Sequence, residues 1–261
     1  MKDVKRKVLS KVATITMILF VFTSMVILIN ASNAIAADGK QIYESRCVIC
    51  HGAKGDGKGL MDVVHRNEKK GMVWNVYPRD FTSGVFKFRS TNTGCLPTDD
   101  DLMRVLTTGI PRSYMPSQKD LSIDDRKAVI KYIKTFSPRW KEEQACESIK
   151  VVQPKWLGSA ESVKKGEEVW NSMKCFECHG AEGKGDGPKS ATLKDDWGDI
   201  IIPFDFTSGA TKMGFEPRNI YIAFSTGLDG SGMPSFGDSL PEEARWNLVS
   251  YTLKLMGRLK K

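Results

Sequence analysis

The chain reads CVICHG at 47–52 and CFECHG at 175–180, and both matches continue downstream in the same order. GKQIYESRCVICHGAKGDGKG (39–59) aligns with GEEVWNSMKCFECHGAEGKGDGP (166–188), and PRDFTSG (78–84) with PFDFTSG (203–209). Thr108-Gly109 aligns with Thr226-Gly227, and MPS at 115–117 with MPS at 233–235. LSIDDRKAVIKYIKTF (121–136) aligns with LPEEARWNLVSYTLKL (240–255). Two copies are too few for a solenoid, so the sequence predicts a duplicated domain. The first copy spans 37–148, a linker 149–158, and the second copy 159–261.

Two cysteines two residues apart, with histidine directly after, are the signature for covalent attachment of c-type haem. The two thiols add across the haem vinyl groups as thioethers, and the histidine lies under the iron. Cys47, Cys50 and His51 form one candidate site; Cys175, Cys178 and His179 form the other. Zinc ribbons space their cysteine pairs by about 15–20 residues, whereas Cys50 and Cys175 are 125 apart. A redox dithiol would need a thioredoxin-like strand–helix pattern, which neither motif has. Methionine opposite histidine makes a six-coordinate iron of raised potential. Met115 and Met233 hold the matched position in both copies, each before Pro-Ser, and are the expected sixth ligands. Met61, Met72, Met103, Met173, Met213 and Met256 are expected as soft core filling.

The coarse pattern is all-α. A short helix precedes each motif, with Ile42 and Tyr43 inward in one copy and Val169 and Trp170 in the other. A longer helix follows each MPS. Ser122 caps the first of these with Asp125 three residues on, and Val129, Tyr132, Ile133 and Phe136 make its apolar stripe. Pro241 begins the second, where Leu248, Tyr251, Thr252 and Leu255 take the corresponding places. The segments between read as loops rich in glycine, proline and polar residues.

Ahead of the repeat, Lys2, Lys5, Arg6, Lys7 and Lys11 precede the uncharged run Val12–Ile29, and Ala34 and Ala36 match an A-x-A cleavage site. Residues 1–36 are therefore an export signal, cleaved after Ala36 or retained as an anchor through Val12–Ile29. Export places the remainder in the periplasm or an equivalent extracytoplasmic compartment. The formal charge of +8 is partly the leader's. Residues 37–148 carry 19 basic and 15 acidic side chains, and residues 159–261 carry 13 and 15. That balance is too mild for a nucleic-acid partner.

On these motifs the chain resembles class I cytochromes c in a tandem dihaem form, from Ala37 to about Arg258. The resemblance implies two tandem cytochrome c-like domains, each a few helices around one covalently bound haem, and so two haem c groups. The run DFTSGVFKFRS…GCLPTDDDLMRVLTTGIPRSYMPS is more narrowly similar to dihaem cytochromes that accompany exported molybdenum oxidoreductases. These include nitrite oxidoreductase systems of nitrite-oxidising and anammox bacteria; in an anammox bacterium the compartment would be the anammoxosome lumen. Family members often carry proline after the glycine-rich loop; the second copy has Pro188 there and the first has Leu60.

Cys95 and Cys146 have no counterparts in the second copy. In an exported chain such a pair is expected to form a disulfide. The alternative makes Cys95 a thiolate ligand, as in dihaem thiosulfate dehydrogenases. His65, in VVHRNEKKG, is expected in a surface loop. Arg79, Lys87 and Lys212 either pair with haem propionates or are ordinary surface charge. Two irons with both axial positions filled point to single-electron transfer without catalysis, between an exported oxidoreductase and a downstream acceptor in a respiratory chain. A membrane-anchored subunit of a respiratory complex and a dihaem enzyme, thiosulfate dehydrogenase-like or peroxidase, are the alternatives.

Overall fold

Helices repeat in the two halves, and a glycine sets the closest crossing in each. The computed structural model describes residues 38–61, 64–67, 73–144, 146–209 and 211–259. The leader read at 1–36, and Met72, lie outside them. In the first half, α1 (Gly39–Arg46) leads into α2 (Val48–His51), followed by α3 (Asp99–Thr108), α4 (Ile123–Lys134) and α5 (Arg139–Glu142). In the second half, α6 (Ala160–Ser172) and α7 (Phe176–His179) precede a 3₁₀ turn at Phe206–Ser208, then α8 (Pro217–Thr226) and α9 (Glu242–Leu255). No helix among the described residues is long and apolar enough to cross a membrane.

Helix α1 packs across α4, and α6 across α9. A Cβ on Gly39 would run into the Ala128 carbonyl, and one on Gly166 into the Asn247 carbonyl. Only glycine permits this approach. Ile42, Tyr43, Val129, Ile130 and Ile133 are buried at the first crossing, and Trp170, Leu248, Val249 and Tyr251 at the second. Aromatic rings fill the space beside each. The Tyr43 ring lies 5.3 Å from Tyr132 and 5.0 Å from Phe136; the Trp170 ring lies 5.6 Å from Tyr251 and 5.8 Å from Phe206.

Three segments differ from the sequence expectation. The stretches read as loops contain α3 and α8. Thr98 caps α3 with a full capping box, accepting from Asp101 N–H (3.1 Å) while its own N–H donates to Asp101 Oδ2 (3.1 Å). Pro217 sits in the first turn of α8, where its missing N–H costs nothing. The first half also carries an antiparallel hairpin, β1 (Val64–Asn67) with β2 (Val73–Val76). His65 lies on β1 opposite Asn75, so it belongs to a strand and not to a loop. Apart from this hairpin the fold is all-α among the described residues. Met61, expected as core filling, is 52% exposed.

Residues 38–261 form one compact unit. The stretch read as a linker is itself packed. Ile149 N–H donates to Ser90 O (2.8 Å), Ile149, Val151 and Leu157 lie on the second-half core, and Gly158 N–H donates to Ser250 Oγ (3.0 Å).

Candidate metal centres

Each motif begins where the first helix of its half ends. Helix α1 runs into Cys47, whose N–H donates to Tyr43 O (2.8 Å), and the next turn carries Cys50 and His51. The second half has one more residue between its buried aromatic, Trp170, and Cys175. Lys174 absorbs it in the left-handed region, at φ 54°. From there the two motifs match bond for bond. The His51 and His179 N–H groups donate to the Cys47 and Cys175 carbonyls (2.8 and 2.9 Å). Gly57 and Gly185 N–H donate to the histidine carbonyls (3.0 and 2.7 Å). Gly59 and Gly187 N–H donate to Cys50 O and Cys178 O (3.1 and 3.2 Å).

Leu60 stands where the second copy has Pro188, yet the segment returns identically. Met61 N–H donates to Ile49 O and Lys189 N–H to Glu177 O, both at 2.8 Å. These bonds hold the backbone, so proline is not required. The side chains differ more. Ile49, Leu60 and Met61 are exposed in the first half, whereas the Glu177–Lys189 ion pair (2.5 Å) covers the same place in the second.

Both histidines are buried or nearly so and oriented alike. His51 Nδ1 lies 3.0 Å from Arg79 O, and His179 Nδ1 lies 3.0 Å from Phe204 O. A carbonyl oxygen only accepts, so Nδ1 carries the proton and Nε2 keeps its lone pair. Burial holds both imidazoles below their usual pKa, which keeps them neutral. The His51 ring stacks on Phe81 at 4.4 Å, and the His179 ring lies 5.1 Å from Phe206. The acceptors are the second residues of PRDFTSG and PFDFTSG. Sequence comparison marked that repeat but not its role, because a backbone carbonyl does the work and the side chains there differ.

The four motif cysteines are free, while Cys95 and Cys146 are joined (Cα–Cα 6.0 Å). Cys95 therefore has no free thiolate to offer an iron. Burial pushes the Cys47 and Cys175 thiols up to about 11. A reactive dithiol needs the opposite shift.

Met115 and Met233 end loops of one design. Ile110 N–H donates to Met115 O (3.0 Å) and Leu228 N–H to Met233 O (3.1 Å). Ser117 Oγ donates to Thr107 O and Ser235 Oγ to Ser225 O, both at 2.7 Å. Gly109 (φ 66°) and Gly227 (φ 69°) open the loops. A Cβ on Gly109 would lie 2.6 Å from Met115 O, and one on Gly227 2.7 Å from Ser235 N. Arg126 donates to Thr107 Oγ1, and Arg245 Nη1 to Ser225 Oγ (2.6 Å), tying each loop to the last long helix of its half. Met233 packs on the buried cluster containing Trp170 and Phe206, against which the His179 ring also lies.

The donor set fits haem c: two free thiols, a neutral imidazole with Nε2 available, and a thioether in each half. One further observation agrees. Trp170 Nε1 is buried without a partner, and its ring lies 5.9 Å from His179. Lys87 is half-buried and pushed down to about 7, first by burial and then by Arg79 and Lys212. Asp195 and Asp196 oppose that shift, so these cations already face carboxylates.

The family model described as cytochrome c oxidase, cbb3-type, subunit III matches residues 34–133 and again 161–251. No curated protein matches the chain. A chain in the solved structure of the Kuenenia stuttgartiensis reducing HAO-like protein complex Kustc0457/Kustc0458 is similar to it, at 35% identity and a TM-score of 0.76. The match covers 83% of this chain and 94% of that one.

Proposed function

The chain belongs to the cytochrome c family described as cbb3-type oxidase subunit III, and on that premise we propose that it carries two haem c groups and passes single electrons between an exported oxidoreductase and a downstream acceptor. The observation that carries this reading is the duplicated donor set, with matching hydrogen bonds around the histidine and the methionine of each half. His51 and Met115 would hold the iron of one haem, and His179 and Met233 that of the other. With both donors engaged, neither iron would keep a position for a substrate. Bound haem c supplies an iron that gains and loses one electron. The chain's own residues set how readily it does so. Arg79 O and Phe204 O fix the imidazole tautomer and orientation, the methionine loops present a neutral sulfur, and the aromatic cores exclude water.

A second reading makes the chain a fixed subunit of a larger complex. It is favoured by the oxidase subunit in the family's description and by the complex from which the similar structure comes. The apolar run Val12–Ile29 would be its anchor. The Cys95–Cys146 bond supports an oxidising, extracytoplasmic location under either reading.

The purified holoprotein tests these points together. Its mass gives the haem count and the first residue: a chain starting at Ala37 is released, and one starting at Met1 is anchored. Potentiometric titration is expected to show two one-electron steps from two low-spin histidine–methionine haems, without turnover of peroxide or thiosulfate. Five-coordinate or thiolate-bound iron would overturn the assignment.

A further inference from the structure

Arg89 is 1% exposed and crosses from the first half into the second. Its Nη2 donates to Thr226 O (2.9 Å) and pairs with Asp229 Oδ1 (2.7 Å), while Nε donates to Asn92 O (3.2 Å). The same carboxylate accepts from Thr93 Oγ1 at Oδ1 (2.6 Å) and from Gly94 N–H at Oδ2 (2.9 Å). Thr226 and Asp229 lie on either side of Gly227-Leu228, where the loop to Met233 begins. Cys95, the next residue after Gly94, is bonded to Cys146. A turn of the first half, closed by a disulfide, therefore grips the methionine loop of the second half at its base.

The grip is one-sided. The residue matching Asp229 in the first copy is Pro111, which has no carboxylate. The Met115 loop instead sends Arg112 to Ser208 Oγ and over the Phe204 ring at 5.3 Å.

We propose that the turn at 89–95, acting through Arg89, Thr93 and Gly94 on Asp229, is a clamp that positions Met233 as an axial ligand. The proposal rests on the reading of Met233 as the sixth ligand of the second iron. Arg89, Thr93 and Asp229 are positioning residues, since they act through the loop and not on the metal. A competing ligand can reach that iron only when the loop opens. Its apparent affinity therefore scales with the open fraction, which the clamp keeps small.

Imidazole added to the ferric full-length holoprotein is the probe. Methionine methyl resonances shifted by each iron report which haem loses its methionine, and Met115→His and Met233→His assign them. Thr93→Val is expected to tighten imidazole binding at the second haem by about tenfold, the factor for one net hydrogen bond, and Asp229→Asn by more, because it also leaves the buried Arg89 without its anion. Binding at the first haem is expected not to change. The pair Cys95→Ser with Cys146→Ser should act in the same direction. Arg89→Met leaves a carboxylate without its cation and risks misfolding, so the milder Thr93→Val carries the test. Unchanged affinity at the second haem, or equal tightening at both, overturns the clamp. A wild-type second haem without any shifted methionine methyl signal overturns the ligand reading itself, and the two failures are told apart by that signal.

Discussion

A thioether and a neutral imidazole would bring no negative charge to a bound iron and so would favour its reduced form. Replacing Met115 or Met233 by histidine is expected to lower one midpoint potential and leave the other. The drop should be on the order of 0.2 V, within the roughly 0.8 V that axial ligation spans. Stepwise potentiometry on each single variant reads it, and equal shifts of both potentials would refute separate ligation. These two methionines were legible among eleven because they alone share a place before Pro-Ser in both copies. Arg79 and Phe204 were not legible as partners of the histidines. Their side chains have nothing in common, and the shared atom is a backbone oxygen. Asp229 was hidden for a different reason: it acts across the halves, and aligning them shows only that it faces a proline.

At the level of elements, the first and last long helices of each half meet at Gly39 and Gly166, with no room for a methyl group. Gly39→Ala and Gly166→Ala should each destabilise by about 3 kcal/mol, the upper part of the range for overpacking a core. This outweighs the gain of up to about 1 kcal/mol in helix propensity. Denaturant titration of the holoprotein measures the balance, and a stabilised alanine variant would show that the helices can separate. Thr98→Ala should cost about 1 kcal/mol through loss of the α3 cap, read in the same way. The outer helices could be read from the sequence because Val129, Ile133, Leu248 and Tyr251 keep a helical period and are buried. Helix α3 could not be read so easily. Its first turn is Asp99-Asp100-Asp101, which looks like a polar loop. Only Thr98 with Asp101, followed by buried Leu102 and Leu106, marks it as a capped amphipathic helix. The hairpin is confined to the first copy, so the comparison that revealed the rest of the fold had nothing to align it with.

For the whole molecule, the question is whether two similar halves behave as one body. Unfolding either half alone would break the Arg89–Asp229 pair (2.7 Å), the Arg112–Ser208 contact and the stacking of Arg79 over Trp197 at 5.1 Å. It would also free residues 149–158, which bond to Ser90 in one half and Ser250 in the other. If the first half alone opened, the folded half would keep Asp229 without the cation that compensates it, and if the second half alone opened, Arg89 would stay behind without its anion. Opening one half therefore carries a penalty that falls on both, which favours a single cooperative transition. The disulfide adds to this from the denatured side. It closes a span of 51 residues, for which the chain-entropy model gives at most roughly 4 kcal/mol. Cys95→Ser with Cys146→Ser should lower stability by up to that amount, with both halves melting together at a lower temperature. Scanning calorimetry, with the methionine signal of each haem followed in parallel, checks this. Two separated transitions in the wild-type protein would mean that the halves are independent bodies, and the contacts between them would then be too weak to give the haems a fixed relation.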